Sequence, residues 1–207
     1  MNEITSITPQ VKDKRRCNIY IDGRFYCGLT LEATMKNRLK VGMIVTPEQM
    51  NAIQLESEKN VAFDKALYFL SATRKTQEQV QTYLKGKGYL PSVIDYVVEK
   101  LNGYDFLNDE EYAKDYTHFT AKRKGVRLIK MELKAKGVDE EDIDKALSNV
   151  QQEDQEAAAT QILQKYMRHK TVDKATLSKA FRYLLGKGFE YDVAKAVLTA
   201  FGELDEE

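Results

Sequence analysis

Between Thr117 and Leu147 the chain reads THFTAKRKGVRLIKMELKAKGVDEEDIDKAL, and its apolar positions recur with the period of a helix. Val126, Ile129 and Leu133 stand three and four residues apart, one buried stripe, while Arg127, Lys130, Lys134 and Lys136 lie mostly off it. Gly137 offers the left-handed backbone that ends helices, and Asp139 with Asp142 resembles a capped start for the next one. The pattern predicts a short helix, a glycine turn and a second short helix.

The same unit occurs three times. Leu84-Lys85-Gly86-Lys87-Gly88 matches Leu133-Lys134-Ala135-Lys136-Gly137 and Leu184-Leu185-Gly186-Lys187-Gly188, at spacings of 49 and 51 residues. Six residues past the glycines stand Ile94, Ile143 and Ala194; ten past, Val98, Leu147 and Leu198; thirteen past, Leu101, Val150 and Phe201. Each set lies on one side of a helix, so the period predicts an array of three-helix units that bury part of their surface against their neighbours.

Ahead of the repeats, residues 16 to 29, RCNIYIDGRFYCGL, alternate apolar and polar residues around Asp22-Gly23, a hairpin signal. A two-residue turn would put Ile19 and Phe25 on opposite faces. An odd-length loop with Gly23 left-handed groups Cys17, Ile19, Phe25, Cys27 and Leu29, and this is the arrangement expected. Thr30 is placed to cap a short helix through Leu39, and Val41 to Val45 to return as a strand or extended turn. Thr46-Pro47-Glu48-Gln49 combines an N-cap, a proline at the first helical position and a capping-box glutamine. The helix that starts there serves as a connector to about Lys59 and continues as the first helix of repeat one, ending near Arg74-Lys75. Thr76 with Gln79, Pro91, and Asn108 with Glu111 mark further helix starts.

The resulting fold class is mainly α: three tandem three-helix repeats forming an elongated curved array, with a small N-terminal extension that contains a β-hairpin. The expected division is residues 1–59 for the extension and connector helix, 60–103, 104–152 and 153–207 for the repeats, the last carrying an acidic tail.

Composition adds little in bulk and much in local detail. Among 207 residues, 32 Lys and Arg balance 32 Asp and Glu, so no overall attraction to nucleic acid or an acidic membrane is indicated. Charge is segregated instead. Between His118 and Gly137 seven Lys or Arg face the single acid Glu132, a net of +6, and from Val138 to Glu156 eight acids face Lys145, a net of −7. Lys165 to Lys187 again carries seven Lys or Arg against Asp173. Neighbouring fields of opposite sign orient a partner. The lack of a long apolar run or a signal-peptide core predicts a cytoplasmic protein without a membrane span. Cys17 and Cys27 form no CxxC, and His118 and His169 are far apart, so no metal site and no cofactor are expected. No nucleophile–base pair or phosphate-cradling glycine loop is evident, which argues against an enzyme.

Three segments in order, RKTQEQVQTYLKGKGY (74 to 89), FLNDEEYA (106 to 113) and RKGVRLIKMELKAKGVDEEDIDKAL (123 to 147), resemble the RecX family of regulatory proteins. The resemblance covers residues 60 to 202. It implies tandem three-helix repeats that bind the RecA recombinase in its filament on single-stranded DNA. It further implies restraint of filament growth, ATP hydrolysis, strand exchange and RecA-dependent repressor cleavage, in DNA repair and the SOS response. The partners so implied are the RecA filament and the single-stranded DNA within it; weak direct DNA binding is an addition, and a monomer is the expected state of the chain.

The candidate partner- or DNA-binding residues are Arg74, Lys75, Lys122, Arg123, Lys124, Arg127, Lys130, Lys134, Lys136, Arg168 and Lys187. Two readings of them stand at this level: contacts to an acidic protein surface or to phosphate, or the ordinary solvated side of amphipathic helices. The acids Asp139, Glu140, Glu141, Asp142 and Asp144 either oppose a basic partner or favour their own helix dipole. Tyr83, Tyr112, Tyr116, Tyr183 and Phe189 read as core before they read as base-stacking platforms. Readout of duplex DNA by a helix-turn-helix is disfavoured, because the second helix of repeat two, DEEDIDKALSNV, carries five acids against one lysine.

Overall fold

The computed structural model describes residues 2–204. The acidic end expected after Leu204 lies outside the described residues. Two compact units form: residues up to Thr73 with Val80–Phe106, and Arg74–Gln79 with the chain from Leu107 onward.

The first unit opens with a three-stranded antiparallel sheet of β1 (Ile4–Pro9), β2 (Arg16–Ile21) and β3 (Arg24–Thr30), in that order. Alternation in β2 and β3 is strong enough to read from sequence. The Ser/Thr-rich β1 is not anticipated, and its position is set by pairing Ile7 with Ile19 and Pro9 with Cys17. The β2–β3 turn corrects the expected odd loop. Asp22 and Gly23, at φ 48° and 79°, form a two-residue turn with both residues left-handed. Tyr26 is the extra residue of a bulge, since Ile19 pairs with Cys27 while Tyr20 pairs with Phe25. The bulge returns Cys27 and Leu29 to the buried face of Cys17 and Ile19. Phe25 lies before it and is left outside, 61% exposed, edge-on to Tyr20 at 5.9 Å.

Below the sheet, α1 (Leu31–Lys36) is capped by the Thr30 hydroxyl on the Ala33 amide and stops short of Leu39. Residues 41 to 45 form an extended turn, bridged at Ile44 to Glu3 and tied to the start of the chain by bonds from the Ile4 amide to the Met43 carbonyl and from the Gly42 amide to the Ile4 carbonyl. Ile4, Ile19, Leu29 and Met50 are fully buried between sheet and helix. Cys17 and Cys27 are buried and free, with Cys17 Sγ 3.1 Å from Thr34 Oγ1.

The helix α2 (Pro47–Ser71) runs unbroken for 25 residues from a complete capping box. It ends at Ser71, short of the expected Arg74-Lys75. Its far half packs on α4 (Pro91–Gly103), and with α3 (Gln77–Gly86) they bury Ala62, Ala66, Val80, Leu84, Val97 and Leu101 completely.

The second unit repeats the motif twice. First come α5 (Asp109–Thr120), α6 (Val126–Ala135) and α7 (Glu140–Ser148), then α8 (Gln152–Met167), α9 (Lys174–Gly186) and α10 (Tyr191–Leu204). The repeat glycines Gly88, Gly137 and Gly188 have φ of 84°, 80° and 87°, a region open to glycine and costly to other residues. Leu84, Leu133 and Leu184, four residues earlier, are fully buried. Asn108 caps α5 on the Glu111 amide as expected, whereas Asp139 makes no side-chain cap bond to α7. Among the described residues no helix is long and apolar enough to cross a membrane.

Glycine is also required where repeats two and three meet. Gly125 and Arg127 donate their amides to the carbonyls of Lys187 and Gly188 at 2.9 and 3.1 Å. A Cβ on Gly125 would stand 2.1 Å from the carbonyl carbon of Gly188. Gln155, 4% exposed, accepts from the Val126 amide at 3.1 Å and so closes a third exposed donor at the start of α6.

Candidate partner interface

The candidate cations divide by what they touch. On α6, Lys130 lies 2.7 Å from Asp144 and 3.2 Å from Glu140, and Lys134 lies 2.9 Å from Glu140. The basic and acidic helices seen in the sequence therefore pair with each other inside the repeat. Hydrogen bonds from Lys134 and Lys130 hold the Glu140 carboxyl below its ordinary value, and Asp144 with Glu140 raises the Lys130 ammonium. The acids of α7 are also engaged along their own helix, Glu141 with Lys145 at 2.8 Å. Exposed pairs of this kind add little to stability, but they remove charge from the set available to a partner.

Arg74 is likewise engaged, 3.2 Å from Asp115. Lys124 bonds one oxygen of Glu132, while the Tyr116 hydroxyl donates to the other at 2.6 Å. Lys136 lies 5.3 Å from the centre of the Tyr116 ring, and Lys187 5.3 Å from that of Tyr183. Lys75 is half-buried.

Lys122, Arg123, Arg127 and Arg168 are exposed and make no ion pair among the described residues. Lys122 and Arg123 belong to the connection between α5 and α6, where the sequence suggested helix, and Arg127 to the first turn of α6. Fixed by the Gly125 joint, these three form the most available positive group near one helix start. Lys122 also lines, with His118, Asn149, Asp154 and Gln161, a cavity of about 660 Å³ between α5, α7 and α8.

The aromatic residues are mostly structural. Phe189 is fully buried, Tyr83 stacks on Phe69 at 4.3 Å, Tyr112 on Tyr116 at 6.0 Å, and Tyr183 on Tyr166 at 4.6 Å. Among the described residues no group of His, Cys, Asp and Glu is arranged to hold a metal ion. The joints at Thr76 and Gly125 escaped the sequence reading. Their only local signal was a threonine or glycine twelve residues before each repeat glycine.

Comparison with known proteins covers nearly the whole chain. Four family models match in order: the regulatory protein RecX N-terminal domain at residues 2–46, and the RecX first, second and third three-helix domains at 62–101, 108–147 and 152–198. The regulatory protein RecX of Bacillus subtilis (strain 168) is 34% identical over 199 residues, covering 94% of this chain and 75% of the relative. That of Clostridium beijerinckii is 32% identical, covering 96% and 95%. A crystal structure of a regulatory protein RecX superposes with a TM-score of 0.70 at 27% identity over 95% of this chain and 98% of its own. The crystal structure of RecX from Lactobacillus salivarius gives 0.62 at 26%, over 72% and 98%.

Proposed function

The chain belongs to the RecX family of regulatory proteins, and on that premise we propose that it binds RecA and RecA–DNA filaments and inhibits their growth. Loss of filament growth lowers ATP hydrolysis and strand exchange, and so modulates recombination and repair in the cytoplasm. The protein acts by binding, not by catalysis. The observation that carries this reading is the ordered match of four domain models along residues 2–198.

Within that reading, Lys122, Arg123, Arg127 and Arg168 meet acidic protein or DNA phosphate in the filament. They are the candidates whose charge is not already engaged. Lys130 and Lys134 act chiefly by holding α7. A regulator that reads duplex DNA is disfavoured: α7 would carry its acids into a groove lined with phosphate.

The test is RecA's single-strand-dependent ATP hydrolysis, titrated with this protein after filaments have formed, at two salt concentrations. Inhibition far below one protein per RecA indicates capping of filament ends, inhibition near equimolar indicates coating, and no inhibition removes the reading. The variant Arg123→Ala with Arg127→Ala should stay folded and inhibit less. If phosphate is the contact, each lost cation lowers the salt slope by roughly 0.7.

A further inference from the structure

One device joins chain segments twice in the second unit. The Thr76 hydroxyl donates to the Lys136 carbonyl at 2.6 Å, and Gly137 is so close to Glu78 that a Cβ on it would stand 2.3 Å from the Glu78 Cβ. The amides of Gly125 and Arg127 donate to the carbonyls of Lys187 and Gly188, and a Cβ on Gly188 would stand 2.3 Å from that of Leu128. In both cases the carbonyl of the lysine in a lysine–glycine turn accepts from the N-cap residue of a helix, from the Thr76 hydroxyl in one and the Gly125 amide in the other.

The first repeat carries the same turn, with Gly88 in the same left-handed conformation, and nothing lies within 4 Å of a Cβ built there. Among the described residues no backbone amide donates to the carbonyls of Lys87 or Gly88. Leu90, beside them, is 61% exposed. We propose that the Lys87-Gly88 turn is a docking site for the N-terminal turn of a helix in the partner protein. That helix turn is acidic, because Lys85 and Lys87 flank the site and a bare helix N-terminus adds positive partial charge of its own.

The third repeat of a second copy does not supply the matching end. The amide of Thr176, which corresponds to that of Gly125, is taken by the Asp173 carboxylate at 2.7 Å, because α9 begins earlier relative to its glycine than α6 does. In the reading above, on which the inference rests, the partner is the recombinase of the filament; an adduct to a second copy, whose α7 opens on Glu140, Glu141 and Asp142 without a side-chain cap, overturns it.

The experiment places a benzophenone amino acid at position 90 of the full chain, and in a control at exposed Val11, and irradiates each with RecA filaments on single-stranded DNA. Binding of Lys87→Glu and Leu90→Asp variants is measured in parallel. Aspartate is a favoured residue at the N-cap of α4, where Leu90 stands, so the fold is retained. The expected result is an adduct from position 90 in the first turn of a RecA helix and a loss of affinity of about tenfold. Full binding by both variants, or adducts elsewhere only, overturns the docking site while leaving RecA binding intact. Failure of the unmodified chain to bind filaments overturns the parent reading, and this inference with it.

Discussion

The hydroxyl of Thr76 accepts the Gln79 amide at 3.2 Å and donates to the carbonyl of Lys136, 60 residues away, at 2.6 Å. A single fully buried oxygen thus caps α3 and ties it to the glycine turn after α6. Thr76→Val keeps the shape and removes both bonds, leaving the Lys136 carbonyl without this donor. The expected loss is about 2 kcal/mol in urea unfolding, with Thr76→Ser recovering most of it. Equal stabilities of the valine and serine variants would show that the joint carries no energy.

Two glycines should respond oppositely to alanine. Gly125→Ala places a methyl 2.1 Å from backbone atoms of Gly188 and Phe189, which cannot yield as a side-chain tip can. It should cost about 2–3 kcal/mol or unseat the turn, and so expose the α9–α10 connection to protease. Gly86→Ala, on a helix residue with nothing within 4 Å, should stabilise by about 0.5–1 kcal/mol through reduced freedom of the unfolded chain.

The Tyr116–Glu132–Lys124 cluster predicts a response to acid. Burial works to raise the Glu132 carboxyl, but the hydrogen bonds from Lys124 and Tyr116 outweigh it and hold the group below its ordinary value of 4.5. A depressed folded value means that the stabilisation is complete above the unfolded value and is lost as pH falls through the folded one. Unfolding free energies followed downward from about pH 6 should therefore decline less steeply for Glu132→Gln than for the natural chain. Parallel acid limbs would count against the cluster.

Cys27 should be almost inert in the folded protein. Burial, and after it the neighbouring Cys17, pushes its thiol up to about 11, so at about pH 8 roughly one molecule in a thousand carries the thiolate. Ellman's reagent should react slowly with the native chain and promptly in denaturant. Fast native reaction at this position would contradict its burial in the sheet core.

The sequence by itself determined the repeat, because its signals act within a turn or two of chain. The left-handed Gly88, Gly137 and Gly188, the buried leucine four residues before each, and the caps Thr46, Thr76 and Asn108 are all local choices of backbone and periodicity. The tertiary structure decided what depends on segments far apart. Phe25 ends outside because a bulge at Tyr26 resets the register against β2, and alternation alone does not say where a strand will slip. Lys130 and Lys134 are conspicuous in the sequence as charge, yet only the packing of α6 beside α7 reveals that Asp144 and Glu140 already hold them. Gly125 reads as an unremarkable residue before a helix; it must be glycine because the Gly188 turn arrives there, and short-range propensity carries no information about that meeting.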